Sequence, residues 1–392
     1  MAMVTVVIGF AGLFADMGMN SAFVQRQNVS EQERSSLFWL NLGMSIVVML
    51  VVIAFSPLLA IWFSDERLTP LLMMAASILV FSAIGQQVRM SAEKVLNFRP
   101  VALLEITASV LGFAASVFAA FAGWGVYALI VGGIVIALAN SVLAWLFLAD
   151  GWRPLYRFRT ADVRSYMGFG GALVANNLVN ELNRNIDLLL AGRMLDATAL
   201  GLFSIPRQIV FQIQNLINPI ITRVGFPLIA QLQNDKPRVR TVYLKTLNMT
   251  ASINAPLFIF VAFFAPEVVH IVLGGQWIAA SGLMSLLAVW GFLRSTGNPV
   301  GSLLLGMGRA DLSLKWNMAM IVIVPPLLWF GANHGTMGLA WALLAFHAAI
   351  FIPIWYVLVR PLCEAGLAEY TTAALLPLLV ALVSIAPAYI LT

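Results

Sequence analysis

Cysteine and histidine are scarce in this chain: one cysteine, Cys363, and three histidines, His270, His334 and His347, in 392 residues. A single cysteine excludes an intramolecular disulfide and a cysteine-built metal site, and the three histidines stand apart with no metal-ligand spacing among them. Charge is also short, at 10% of residues against roughly 25% in soluble domains. The chain has no glycine-rich phosphate loop ending in Lys-Ser/Thr, no paired carboxylates on an external loop and no nucleophile elbow. These absences argue against ATP-driven work or an enzymatic reaction by this chain alone, and no cofactor is implied. Met1 to Phe10 lacks the basic start and small-residue cleavage site of a secretory signal.

What the chain has in abundance is apolar length. Hydrophobic residues make up 61% of it and the mean hydropathy is +0.92. Long apolar runs recur along the whole chain and match the ~20 residues a helix needs to cross a bilayer, while the ten-residue alternation of a membrane barrel does not occur. An all-α, multi-pass membrane protein is expected. The net charge of +5 and pI near 9.6 then reflect membrane topology, not nucleic-acid binding.

Twelve spans are expected, at 2–24, 36–63, 68–95, 101–122, 124–148, 165–192, 198–228, 244–264, 278–305, 313–332, 337–360 and 370–391. Basic residues concentrate in every second connection, with only Arg67 and Arg193 in the others: Arg26 and Arg34, then Arg89, Lys94 and Arg99, then Arg153, Arg157, Arg159 and Arg164, then Lys236, Arg238, Arg240 and Lys245, then Arg309 and Lys315. By the positive-inside rule these connections are cytoplasmic, and the first span runs from outside to inside. That orientation leaves both termini outside, and one further helix at each end is the simplest repair. The charged connection at 151–164 divides the chain into 1–150 and 165–362, with a further helix at 363–392. The turn Gly123-Trp-Gly-Val-Tyr-Ala recurs as Gly335-Thr-Met-Gly-Leu-Ala, and Arg99 and Arg309 occupy matching places before it. Two pseudo-symmetric halves of this kind are a recurrent transporter plan.

The least apolar stretch runs from Asn176 to Arg223. At 100° per residue, Asn176, Asn180, Asn183, Arg184 and Asp187 share a third of one helix's circumference. On the next helix Ser204, Arg207, Gln208, Asn215, Asn218 and Thr222 share a face with Phe211, with Gln212 and Arg223 at its edge. Arg294 lies near the middle of a later span. A charge at mid-membrane costs ~2.5 to 3.5 kcal/mol and turns toward the protein interior. Guanidinium forks suit phosphate or diphosphate oxygens, and side-chain amides suit sugar hydroxyls because they donate and accept. Arg184, Arg207, Arg223, Arg294, Asn176, Asn180, Asn183, Asp187, Gln208, Gln212, Asn215 and Asn218 are therefore candidate substrate contacts. Structural readings stand beside this one: Arg184 bridges to Glu181 or Asp187 on its own helix, and the amides act as interhelical glue at about 0.6 kcal/mol per bond.

Asp16, in Phe-Ala-Asp-Met-Gly-Met-Asn, is a candidate for a coupling proton or cation, with Glu181 a second. Alternatively, Asp16 caps a broken helix beside Gly18. Glu93, Lys94 and Glu105 read as an interfacial charge cluster, and Trp39, Trp62, Trp124, Trp152 and Trp277 as an aromatic belt.

Several segments resemble the polysaccharide transporter family, the Wzx-like flippases and exporters of the multidrug/oligosaccharidyl-lipid/polysaccharide superfamily. They are Phe10-Ala-Gly-Leu-Phe-Ala-Asp-Met-Gly-Met-Asn-Ser-Ala-Phe-Val-Gln-Arg with Leu37-Phe-Trp-Leu-Asn, Asn97-Phe-Arg, Asn185-Ile-Asp-Leu-Leu-Leu-Ala-Gly-Arg, Leu200-Gly-Leu-Phe, Arg223-Val-Gly-Phe-Pro and Gly306-Met-Gly-Arg. The resemblance implies two six-helix bundles around a central cavity, with this chain starting at the second helix. It implies movement of a lipid-linked oligosaccharide, typically on undecaprenyl diphosphate, across a bacterial inner membrane, with other polysaccharide-assembly proteins as possible partners. A drug or organic-cation antiporter of the same fold would want acidic and aromatic residues where arginine and amides stand here. A membrane glycosyltransferase or polymerase would want a large outer loop with carboxylates, and the outer loops here are a few residues long.

Overall fold

The computed structural model describes the backbone of residues 1–16, 23, 29–94 and 98–390. Among the described residues the chain is helical, with short turns and one longer irregular connection at 151–159. In order come α1 (Ala2–Asp16), α2 (Glu31–Phe63), α3 (Leu68–Ala75), α4 (Ser77–Lys94), α5 (Phe98–Phe121), α6 (Tyr127–Phe147), α7 (Thr160–Met194) and α8 (Ala197–Gln231). Then follow α9 (Lys236–Phe263), α10 (Ala265–Leu273), a 3₁₀ turn (Gly275–Ala280), α11 (Ser281–Thr296), α12 (Pro299–Gly306), α13 (Ala310–Ala332), α14 (Gly335–Ile354), a π-helical turn (Trp355–Val359), α15 (Arg360–Cys363) and α16 (Leu367–Ile390).

Local chemistry sets several boundaries. Ser30 caps α2 by accepting from the Glu33 backbone N–H at 3.2 Å, while the Glu33 carboxylate accepts from the Ser30 N–H at 2.9 Å. Asp196 caps α8 by accepting from the Ala199 N–H at 2.7 Å. Only Leu195 and Asp196 separate α7 from α8, and the chain turns back there far enough for Asp187 of α7 to meet Arg207 of α8. Nine of the twelve expected spans overlap helical runs that, among the described residues, are both long and apolar enough to cross a membrane. The three outside that set are α1, with 15 residues, and the 35-residue helices α7 and α8, which carry the polar stretch.

The chain packs as two compact units, Met1–Asn185 and Ile186–Thr392. The 151–164 connection lies within the first unit, because it is tied to α2. The Leu155 N–H donates to Ser35 Oγ at 3.1 Å, the Trp39 indole N–H donates to the Leu155 carbonyl at 2.7 Å, and Ser36 Oγ donates to Asp162 at 3.0 Å.

Glycine permits the closest approaches in the first unit. A Cβ on Gly112 would lie 2.8 Å from the Gly132 carbonyl oxygen, so α5 and α6 cross backbone to backbone. At Gly85 of α4, a Cβ would lie 2.5 Å from Ser141 Cα, and the Gly85 N–H donates to Ser141 Oγ at 3.0 Å. Gly85→Ala is therefore expected to destabilise the protein by about 1–3 kcal/mol through overpacking, despite alanine's ~1 kcal/mol advantage in helices. Thermal unfolding in detergent, followed by tryptophan fluorescence, checks this, and an unchanged midpoint would refute the close contact.

In the second unit α13 and α14 also close over glycines, since a Cβ on Gly338 would lie 2.4 Å from the Gly331 oxygen. Gly123 and Gly335 of the two matching turns share positive φ, +83° and +75°. Gly125 and Gly338, matched in sequence, differ: the first is a turn residue with φ +54° and the second is helical. A core of Tyr243, Leu247, Leu303, Leu362, Tyr370 and Ala374, among others, joins α9, α12, α15 and α16. Ion pairs reinforce it where Lys236 meets Glu364 at 2.7 Å and Arg240 meets Glu369. The Lys236 ammonium holds the exposed Glu364 carboxyl below its usual range.

Candidate functional site

The centre of the second unit's polar set is an ion pair between neighbouring helices. Arg207 of α8 donates from Nε to Asp187 Oδ2 at 2.5 Å and from Nη2 to Oδ1 at 2.8 Å, a bidentate fork. Both residues are buried, Asp187 at 3% exposure and Arg207 at 6%. The short α7–α8 connection brings them level: Asp187 lies two turns before the end of α7, and Arg207 about three turns after the start of α8. One turn further along α8, Phe211 receives the Arg207 guanidinium at 4.3 Å from its ring centroid and the Arg294 guanidinium of α11 at 4.1 Å. Arg294 also lies 5.4 Å from the Trp290 ring, and the Trp290 indole N–H donates to His347 Nδ1 of α14 at 3.0 Å. Through Arg207 and Phe211 the Asp187 carboxylate of α7 is thus linked to side chains of α8, α11 and α14.

Below this cluster the same unit has further buried amides. Gln214 Nε2 donates to the Gly291 carbonyl at 2.9 Å, and Asn254 Nδ2 donates to Asn218 Oδ1 at 3.2 Å and to the Thr250 carbonyl at 2.9 Å. Gly291 makes this packing possible, since a Cβ there would sit 2.4 Å from Val210 Cγ1 and 2.9 Å from the Phe258 ring.

The opposite side of α8 behaves differently. Gln208, Gln212 and Asn215, spaced four and three residues apart, are exposed on one face, while Val210, Phe211, Gln214 and Asn218 are buried. Amides open to lipid would leave polar groups unsatisfied at several kcal/mol each. Leu216, 74% exposed, marks where the stripe ends and an apolar flank begins.

In the first unit, Glu181 Oε1 accepts from Asn185 Nδ2 at 2.6 Å, and its Oε2 lies 3.9 Å from Arg184 Nη1. Arg184 and Asn180 are exposed and Asn183 is half-buried. Separately, Asp16 is half-buried at the end of α1, where Gln86 Nε2 reaches its Oδ1 at 3.5 Å and Asn41 Nδ2 donates to Gln86 Oε1 at 3.2 Å. The alternative in which Asp16 caps a helix at Gly18 falls outside the described residues. Asn176 belongs to α7 and Arg223 to α8, but their side chains too lie outside the described set.

The candidates therefore sort into two kinds. Asp187, Arg207, Arg294 and Asn218 belong to an interior network, and Asn180, Arg184, Gln208, Gln212 and Asn215 are accessible. Arg184 reaches Glu181, one of the two partners open to it in sequence, at 3.9 Å, and Asp187 pairs with Arg207. His347, isolated in the sequence, is part of the cluster. Trp290 and Phe211 escaped sequence reasoning as site residues, although each lies four residues from an arginine it contacts, Arg294 and Arg207. Among the described residues no group of three or more His, Cys, Asp or Glu is placed to hold a metal ion.

Comparison with known proteins gives a consistent family. A family described as "Polysaccharide biosynthesis protein" matches residues 1–282. The teichuronic acid biosynthesis protein TuaB of Bacillus subtilis (strain 168) is 30% identical over 372 residues, covering 95% of this chain and 77% of TuaB. The lipopolysaccharide biosynthesis protein WzxC of Escherichia coli (strain K12) is 30% identical over 387 residues, covering 98% of this chain and 79% of WzxC. Among solved structures, the lipid II flippase MurJ in its inward closed conformation superposes with a TM-score of 0.71 at 13% identity, covering 97% of this chain and 85% of MurJ. At that identity the likeness is one of fold.

Proposed function

This chain belongs to the polysaccharide biosynthesis protein family, and from that membership we propose that it is a transporter of a lipid-linked oligosaccharide or polysaccharide repeat unit. The cargo, held on a polyprenyl diphosphate, moves from the cytoplasmic to the outer leaflet of a bacterial inner membrane by alternating access. The observation that carries this reading is the accessible amide face of α8, Gln208, Gln212 and Asn215, on a helix of membrane-spanning length. Its donors and acceptors match sugar hydroxyls. Exposed Arg184 offers a fork for a diphosphate. The relatives named for teichuronic acid and lipopolysaccharide biosynthesis support a glycan as cargo, and the fold shared with a lipid II flippase supports a membrane carrier of this architecture.

Within this reading Asp187 and Arg207 hold α7 and α8 in register beside the amide face, and Asp16 and Glu181 are candidates to bind a coupling ion. Other polysaccharide-assembly proteins would act before and after this step. Mass spectrometry of lipid-linked saccharides from cells lacking the gene tests the reading. A complete repeat unit accumulating on its diphospholipid carrier is expected, and its mass identifies the cargo. An unchanged lipid pool would point instead to an organic-cation antiporter or an accessory role.

A further inference from the structure

The connection between α6 and α7 shows a second chemistry, independent of the transport reading. Residues 151–159 form an irregular segment whose exposed side chains are Arg153, Leu155, Tyr156, Arg157, Phe158 and Arg159. Tyr156 is 97% exposed, and Leu155 and Phe158, 44% and 48% exposed, stand with it among the arginines. Among the described residues no carboxylate lies within ion-pair distance of Arg153, Arg157 or Arg159.

The segment is nevertheless held in place. Beyond its bonds to Ser35 and Trp39, Trp152 stacks on Trp145 of α6 with centroids 5.7 Å apart and planes 13° apart, and the Arg34 guanidinium covers Trp152 at 3.8 Å. Tyr156 lies against Trp39 at 5.8 Å. Its depth follows from the chain: Leu146 and Phe147, 70% and 66% exposed at the end of the apolar helix α6, lie only a few residues before it. Apolar side chains directed outward at the end of a span, followed by exposed aromatics and arginines, mark the boundary between hydrocarbon and headgroups.

We propose that residues 151–159 are a binding site for anionic phospholipid, with Arg153, Arg157 and Arg159 taking the phosphodiester headgroup and Leu155, Tyr156 and Phe158 seated among the upper acyl carbons. Charge complementarity selects the occupant, because a zwitterionic headgroup neutralises its own phosphate. Anchoring to α2 through Ser35, Ser36 and Trp39 presents the arginines in a fixed array, so binding orders little additional chain.

Native mass spectrometry of the detergent-solubilised full chain, titrated with phosphatidylglycerol and separately with phosphatidylcholine, tests this. Wild type is expected to retain phosphatidylglycerol preferentially. Arg153→Gln/Arg157→Gln/Arg159→Gln is expected to lose about 100-fold in that affinity, the change that ~1 kcal/mol per arginine produces. Arg153→Lys/Arg157→Lys/Arg159→Lys should keep most of it, and glycerol phosphate, which lacks the acyl chains, should compete poorly. If the glutamine variant fails to fold, wild type alone still decides, since its preference should fall on raising salt from 0.1 to 0.5 M as an exposed charge contact requires, concentrations of about that size setting the screening length. Equal retention of the two lipids by wild type, or undiminished phosphatidylglycerol binding by a folded glutamine variant, would overturn the proposal.

Discussion

Asp187→Ala is expected to destabilise the protein by about 3–5 kcal/mol, the cost of leaving a buried charge without its partner. The substitution removes both acceptors of the Arg207 fork, at 2.5 and 2.8 Å, in surroundings where each residue is almost fully covered. Asp187→Asn keeps the shape and one acceptor and should lose less. Asp187→Ala/Arg207→Met should recover much of the stability, since methionine can follow the path of the arginine stem over Phe211 without bringing its charge. Thermal unfolding in detergent separates the cases. Should Asp187→Ala unfold like wild type while export fails, Asp187 would belong to the transport path and not to the scaffold.

Gln208→Leu/Gln212→Leu/Asn215→Leu is expected to block export while the protein remains inserted and folded. These side chains are exposed on one face of α8, and the second unit's core does not depend on them. Three hydrogen bonds at about 1 kcal/mol each correspond to roughly 100-fold in glycan affinity. The contrast with Asp187 is the useful part, for one substitution should act on stability and the other on transport. Measured by immunoblot of the membrane fraction together with surface glycan, a folded leucine variant with normal export would remove the amide face from the site.

The helical plan was legible because apolar length and interruption by turns are written locally. The polar faces of α7 and α8 were legible for the same reason: helical periodicity places Asn180, Asn183, Arg184 and Asp187 together whatever surrounds them. Partner choice was not. The nearest cation to Asp187 in sequence is Arg184, yet the structure gives Asp187 to Arg207, twenty residues on, because a two-residue connection folds α8 back at matching depth. Nor does periodicity separate buried from accessible polar residues. Gln214 and Gln212 are two positions apart, one inside bonding Gly291 and the other exposed, and only the packing of α8 decides which. The 151–159 connection reads as a charged linker in sequence, and its attachment to α2 depends on Ser35 and Trp39, more than a hundred residues earlier.

Reconstitution measures translocation directly. The purified protein would be placed in vesicles loaded with the lipid-linked saccharide isolated from cells lacking the gene, and the share of saccharide open to an impermeant periodate reagent followed with time. Vesicles with wild-type protein are expected to expose saccharide from the inner leaflet, and vesicles with the Gln208/Gln212/Asn215 leucine variant only what the outer leaflet held at the start. Identical exposure in vesicles with wild-type protein and in protein-free vesicles would contradict translocation by this chain.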